Sequence, residues 1–273
     1  MASSSLIQLV HQPHGAQVLQ AHWGVTEVLY LSPLYPINPI NPINPEPKAP
    51  ARGGVPVLFP QFAKAGPLKK HGWVRDVPWE LLQDEKGPGG HSVTHQLTMG
   101  LNNPFNWPHA AELTLTARAA HGALQQSSNV PLQASLEMSL RVRNTGSNAF
   151  SWTGGLHPYW FTPDLLKSEL LGFEQPVSWQ GEEFETLFDN PGPLTLKTPS
   201  HAIQLSMTGF DQWMVWSPGR EGAMALADLP DADWQQFVCI EPVIVDRPIT
   251  LEPGSFFEGT MSMALFETGH PIP

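Results

Sequence analysis

Apolar and polar residues alternate along much of this chain. In ASLEMSLRVRN, Leu136, Met138, Leu140 and Val142 share one face of an extended strand, and Glu137, Ser139, Arg141 and Arg143 share the other, because successive strand side chains point to opposite sides. The stretches AQVLQAHWG, TEVLYLS, HSVTHQLTMG, AELTLTARAA, HAIQLSMTG, QWMVWSP, FVCIEPVIV and GTMSMALFE read the same way, as alternating or β-branched strands of about five to nine residues. No long stretch carries a 3.6-residue period. DLPDADWQQF has room for about one turn of helix. Between the runs lie 29 prolines and 23 glycines, spread over the whole length, which cut the chain into short segments. Many short strands with regular turn signals predict an all-β fold, an antiparallel sandwich. No Gly/Ser linker divides it, so residues 1–273 are expected to form a single domain.

Composition narrows the function. Charged residues make up only 14% of the chain against 41% hydrophobic residues, which is the balance of a folded globule. The 25 acids outnumber the 14 Lys and Arg residues, for a formal net charge of -11. That charge argues against nucleic acid, which needs broad basic faces, and disfavours anionic membrane surfaces. A single cysteine, Cys239, excludes an intrachain disulfide and fits a reducing compartment. The N-terminal MASSSLIQLVHQPHG lacks a basic, signal-like start, and no apolar run approaches the ~18 residues of a membrane span. A cytoplasmic location is expected. The segment LYPINPINPINPEPKAP repeats INP three times; its prolines favour extended backbone, and it reads as an expanded surface loop.

Against the acidic background, RGGVPVLFPQFAKAGPLKKHGWVR, from Arg52 to Arg75, holds five Lys and Arg residues and no acid. VPVLF reads as a buried strand, with RGG before it and a loop rich in helix and strand breakers after it. Loops on a rigid sheet are where ligand contacts concentrate. Arg52 and Arg75 flank this loop, and the planar fork of arginine suits a phosphate. At about 1.5–3 kcal/mol per charge-assisted hydrogen bond, two such contacts separate phosphorylated from neutral ligands. A solvated face with salt bridges to the surplus acids is the other reading of the same residues.

Two further stretches offer proton chemistry. GGLHPYWF sets His157 at a strand end beside aromatic residues, and histidine is the usual proton donor near neutral pH; a structural histidine is the alternative. In FVCIEP, Phe237, Cys239 and Glu241 share a strand face, which puts a carboxylate at the end of an apolar row. Burial there raises its proton affinity and suits a base; a solvated strand-end glutamate is the alternative. Phe59, Phe62, Trp73 and Trp160 flank these motifs and are candidates to stack on sugar rings, although most aromatics in such a chain fill the core. HxH, HExxH and CxxC metal spacings, G-x-S-x-G and a P-loop are absent from the sequence, so no metal or cofactor is expected.

RGGVPVLFPQF, HGWVR, WPHAAELTLT, GGLHPYWF, PGPLTL and FVCIEP occur in this order. As an ordered set spanning about residues 14–267 they resemble the hexose-6-phosphate mutarotases (glucose-6-phosphate 1-epimerases) of the galactose-mutarotase-like superfamily. The resemblance implies a large antiparallel β-supersandwich, a cofactor-independent interconversion of α and β anomers, and a hexose 6-phosphate as the small-molecule partner of a monomer. It implies His157 as the general acid at the ring oxygen and Glu241 as the general base at the anomeric hydroxyl. Arg52 and Arg75 match the phosphate-binding arginines, and His71 is placed near the sugar. Two positions depart from the family pattern. Lys70 precedes His71 where relatives often carry glutamine, adding a cation. Glu185 stands near where relatives carry an aspartate that contacts sugar hydroxyls, with one methylene more. An aldose 1-epimerase for unphosphorylated sugars and a non-catalytic sugar-phosphate-binding protein are the alternatives to this reading.

Overall fold

A computed structural model describes residues 7–23, 26–35, 50–121 and 132–267. The INP repeats lie outside the described residues. In chain order the strands are β1 (Ile7–His11), β2 (Val18–Trp23), β3 (Thr26–Glu27), β4 (Val57–Leu58), β5 (Glu80–Gly87), β6 (Gly90–Met99), β7 (Ala111–His121), β8 (Leu132–Asn144), β9 (Phe150–Leu156), β10 (Tyr159–Phe161), β11 (Glu169–Leu171), β12 (Phe184–Asp189), β13 (Leu194–Lys197), β14 (His201–Thr208), β15 (Gln212–Ser217), β16 (Phe237–Leu251) and β17 (Phe256–Glu267). One short helix, α1 (Gly219–Met224), interrupts them. The turn expected in DLPDADWQQF is a 3-10 helix, Asp233–Gln236.

The strands form three antiparallel sheets. Eight pair in the order β11-β13-β14-β17-β8-β7-β6-β5, and six form β12-β15-β16-β9-β4 with β10 alongside β16. The third sheet is β1-β2-β3. The two large sheets make the antiparallel sandwich that the alternation predicts.

Alternation decides which face turns inward. Leu136, Met138, Leu140 and Val142 of β8 are fully buried, as are Leu113 and Leu115 of β7. They join one apolar cluster with Trp213 and Val215 of β15 and Val238 and Ile240 of β16. The core therefore lies between the two large sheets. The opposite faces of β15 and β16 carry Met214, Trp216, Cys239 and Glu241, and this outer face of the six-stranded sheet holds the cavity described below. The first eight residues of β16 are buried on both faces.

One expected strand is altered, and one strand forms where the sequence announces none. TEVLYLS keeps only Thr26–Glu27 as strand, with isolated bridges from Leu29 to Trp160 and from Leu31 to Gly53. Residues 28–30 are buried and bond singly to β10, Tyr30 N to Tyr159 O at 2.8 Å and Phe161 N to Val28 O at 3.0 Å, rather than along an extended ladder. Conversely, ELLQDEKG forms β5 with every residue exposed. It is an edge strand held by pairing with β6, and its solvated faces leave no apolar alternation to read.

Candidate functional site

The Arg52–Arg75 stretch is folded into a tight knot by its own side chains. Gln61 is buried and ties the loop together: its amide nitrogen donates to Ala63 O (3.1 Å) and Leu68 O (3.2 Å), and its Oε1 accepts from Leu68 N at 2.9 Å. Ala63 N donates to His71 Nδ1 at 3.2 Å, and His71 N donates to Ala63 O at 2.8 Å. Gly72 must follow. At φ +70° a Cβ on it would lie 1.9 Å from the Phe59 carbonyl oxygen, so no other residue lets the chain pass and set Arg75 in its 3-10 turn. Because the Nδ1 of His71 accepts, the neutral ring carries its proton on Nε2 and offers a donor. Burial and the neighbouring Arg75, Lys70 and Arg52 push this histidine down to a pKa of about 3, so it stays neutral.

Strand register brings the acid and base motifs together. Gly155 pairs with Val243 and Tyr159 pairs with Cys239, so His157, midway between, falls opposite Glu241. Gly155 is required here too: at φ +152° a Cβ would sit 2.2 Å from Pro242 O. The backbone N–H of His157 is anchored on Pro56 O at 2.9 Å. The result is a contact of 3.4 Å between His157 Nε2 and Glu241 Oε1, with side chains 8% and 2% exposed. Burial, then His71, Arg75 and Arg52, lowers the proton affinity of His157. Burial, then Glu185, raises that of Glu241. These shifts favour the uncharged form of the pair, with one proton shared between two positions. Among the described residues the His157 Nδ1 and Glu241 Oε2 have no hydrogen-bond partner.

A cavity of about 550 Å³ opens over this pair. Arg52, Lys70, His71, Arg75, His157, Glu185 and Glu241, the seven residues singled out from the sequence, all line it. Glu185 is exposed, on the same sheet face as Glu241: it pairs with Trp216 of β15, and Glu241 pairs with Met214 two residues away. The two arginines differ in their surroundings. Arg52 donates through Nε and Nη2 to Asp228 Oδ1 (3.2 and 3.0 Å) and through Nη1 to the Tyr159 hydroxyl (3.1 Å). Arg75 is partly buried, and among the described residues no hydrogen bond or ion pair satisfies its guanidinium; its Nε is buried without a partner. Lys69 turns away to pair with Asp76 at 2.8 Å.

Lys64, Phe62, Ala63, Tyr159, Met214, Trp216 and Leu226 complete the lining. The motifs already contained Lys64, Phe62 and Tyr159; Met214, Trp216 and Leu226 come from stretches with no chemical signature. Tyr159 is buried, and its ring lies against that of His157, with centroids 4.9 Å apart and planes 10° from parallel. Of the other flanking aromatics, Phe59 and Trp160 are fully buried in the core, and Trp73 stacks on Phe105 at 4.0 Å.

Two groups bring three metal-type donors within 4.8 Å of one another among the described residues: His157, Cys239 and Glu241, and His11, Asp84 and His91. Neither fits an ion well. In the first, burial raises the proton affinity of both the Cys239 thiol and the Glu241 carboxyl, whereas metal binding needs them deprotonated. In the second, His91 Nδ1 accepts from Leu9 N at 2.9 Å, so Nε2 carries the proton shared with Asp84 at 2.8 Å. Among the described residues no helix is long and apolar enough to cross a membrane.

Comparison with known proteins bears on this geometry. The family model described as aldose 1-epimerase matches residues 3–172. A protein of Cenchrus ciliaris named "Putative glucose-6-phosphate 1-epimerase" is 27% identical over 245 residues, covering 80% of this chain and 71% of that relative. An Escherichia coli protein of the same name is 25% identical over 211 residues, covering 70% and 66%. Among solved structures, "a putative mutarotase (YeaD)" from Salmonella typhimurium superposes with a TM-score of 0.78 at 20% identity, covering 93% of this chain and 85% of that one. A galactose 1-epimerase from Lactobacillus acidophilus superposes at 0.67 with 11% identity, covering 99% and 93%.

Proposed function

This chain belongs to the aldose 1-epimerase family and is an isomerase; on that premise we propose that it interconverts the α and β anomers of a hexose 6-phosphate, D-glucose 6-phosphate being the leading candidate. The observation that carries this reading is one cavity joining a buried His157–Glu241 pair to an arginine, Arg75, whose Nε is buried with no hydrogen-bond partner among the described residues. Buried N–H donors left unsatisfied are costly unless a ligand completes them, and a 6-phosphate dianion does so. A neutral hexose brings no matching charge, which is why the phosphorylated substrate is preferred over a free sugar. The names of the two similar proteins point the same way.

In the reaction, the mobile proton first passes from Glu241 to His157 across their 3.4 Å contact; His157 then gives it to the ring oxygen while Glu241 takes one from the anomeric hydroxyl. The C1–O5 bond opens to the aldehyde, the C1–C2 bond rotates, and the ring recloses on the other face with both transfers reversed. The pair ends as it began, so no cofactor is consumed. A pair holding one proton in either of two places suits this reversal, since the form left by ring opening is the form that ring closure requires. Neutral His71, with its Nε2–H, supplies a hydrogen-bond donor in the cavity, and Glu185 at the rim an acceptor.

The test is exchange between the α and β anomeric protons by NMR, for glucose 6-phosphate and for glucose. Acceleration is expected for the phosphosugar well above that for glucose. Arg75→Ala should raise KM for glucose 6-phosphate by about tenfold or more, the loss of one charge-assisted contact. Equal acceleration of both sugars would move the substrate to free aldoses, and binding without acceleration would leave a sugar-phosphate sensor.

A further inference from the structure

We infer that Asp228 is a specificity-determining positioning residue, which holds the Arg52 guanidinium in place for the phosphate; this rests on the proposed function above. Asp228 does not line the cavity, and no sequence motif marks it. Yet one of its carboxylate oxygens receives both Nε and Nη2 of Arg52, and the Tyr159 hydroxyl receives Nη1 from the other side. A guanidinium has five N–H donors. These contacts occupy three and leave one on each terminal nitrogen for a ligand in the cavity. Fixed at three points, the planar group cannot swing into solvent.

The clamp is built into the fold. Ser32 is 1% exposed. Its backbone N–H donates to Arg52 O at 2.8 Å and its Oγ donates to Asp228 O at 2.7 Å. One buried serine thus staples the two backbone segments whose side chains form the ion pair. Tyr159 is held in turn, by its N–H on Gly54 O at 2.9 Å and by the ring of His157. A chance surface pair between long side chains has none of this support.

An acid beside a phosphate-binding arginine has two opposed effects: its charge weakens the field felt by an anion, and its oxygen orients the donors. The geometry favours orientation, because Asp228 is 53% exposed on its side chain and water screens its charge, while the hydrogen-bonded oxygen acts at contact.

Two substitutions separate the effects. Asp228→Asn keeps an oxygen for Arg52 and removes the charge; Asp228→Ala removes both. With anomeric exchange of glucose 6-phosphate as the readout, Asp228→Ala should raise KM about tenfold with kcat at saturation within about twofold. Asp228→Asn should keep KM at or below that of the wild type. Circular dichroism and melting of both variants check folding, and Asp228→Glu serves as a second oxygen-bearing variant, expected to remain nearer wild type than Ala. If Ala and Asn lower KM alike, Asp228 is a competing anion and the inference fails. If neither changes KM, it fails as well. In both cases wild-type preference for the phosphosugar would leave the proposed function standing. A wild type that treats glucose and glucose 6-phosphate equally removes both.

Discussion

His157 and Glu241 meet at 3.4 Å beneath the cavity, both almost wholly buried, and their shifts fix how the rate should depend on pH. The working pair carries one mobile proton. A second proton must go onto His157, whose affinity burial and the nearby cations depress. Loss of the first must come from Glu241, whose affinity burial raises. Activity is therefore full above the depressed histidine value and below the raised carboxyl value. The kcat/KM profile should be bell-shaped, its acid limb below the ordinary histidine value of ~6.5 and its alkaline limb well above the ordinary carboxylate value of ~4.3. A single inflection at ~6.5 would show a solvent-exposed histidine in control instead. His157→Asn should lower kcat by about 10²–10⁴-fold. The same residues predict more. Burial first, then His71, Arg75 and Arg52 depress His157, and a bound dianion offsets the share of the two arginines, raising the proton affinity of the acid in part. Inorganic phosphite, added in trans, should then accelerate anomeric exchange of plain glucose, and Arg75→Ala should abolish that acceleration. No phosphite effect would reduce the phosphate to a handle.

At the scale of elements, the acid-sensitive joint lies where β1 packs against β5 and β6. His11 of β1 and His91 of β6 both contact Asp84 of β5, at 3.3 and 2.8 Å, and His95 stands edge-on to His11 with ring centroids 5.1 Å apart. His95 is 1% exposed, with no partner for Nε2 among the described residues, and burial pulls its pKa down to about 4. In the unfolded chain it takes a proton at ~6.5. Between these values the unfolded state binds more protons, so stability rises with pH. This contribution is complete above ~6.5 and lost as pH falls to the folded value, on the order of 3 kcal/mol in full. His95→Gln should flatten the fall in melting temperature between those pH values; an unchanged slope would place the acid sensitivity elsewhere, His157, His201 and His71 being the other strongly lowered histidines. None of this joint was legible in the sequence. HSVTHQLTMG announced a strand through its alternation, but β5 is exposed along its whole length, and neither its pairing nor its meeting with β1 leaves a pattern. Alternation reports burial on one face; an edge strand wetted on both has none to report.

For the whole molecule, the ordered motifs disclosed the sandwich and the residues lining one cavity, because each motif carries glycines, aromatics or charges that a local conformation or a ligand demands. What they withheld was relation. Nothing in FVCIEP says that Glu241 lies opposite His157; that follows from β9 and β10 continuing one register against β16. Nothing near Asp228 says that it meets Arg52, since the staple between them is a serine from a third stretch. Met214 and Trp216 looked like ordinary strand residues, and only the sheet's outer face makes them walls. The cavity is thus assembled from segments far apart in the chain, with Arg52 near its start and Glu241 near its end. This has a consequence in time. β6, β7 and β8 can pair as neighbouring hairpins early in folding, since they are local in sequence. The strand that carries Glu241 follows β9 and β15 in the chain and must take its place between them before acid and base can meet. A partly folded chain can already have most of its sheet and still be catalytically silent, so during refolding the return of turnover marks the closure of the last long-range contacts rather than the gain of secondary structure.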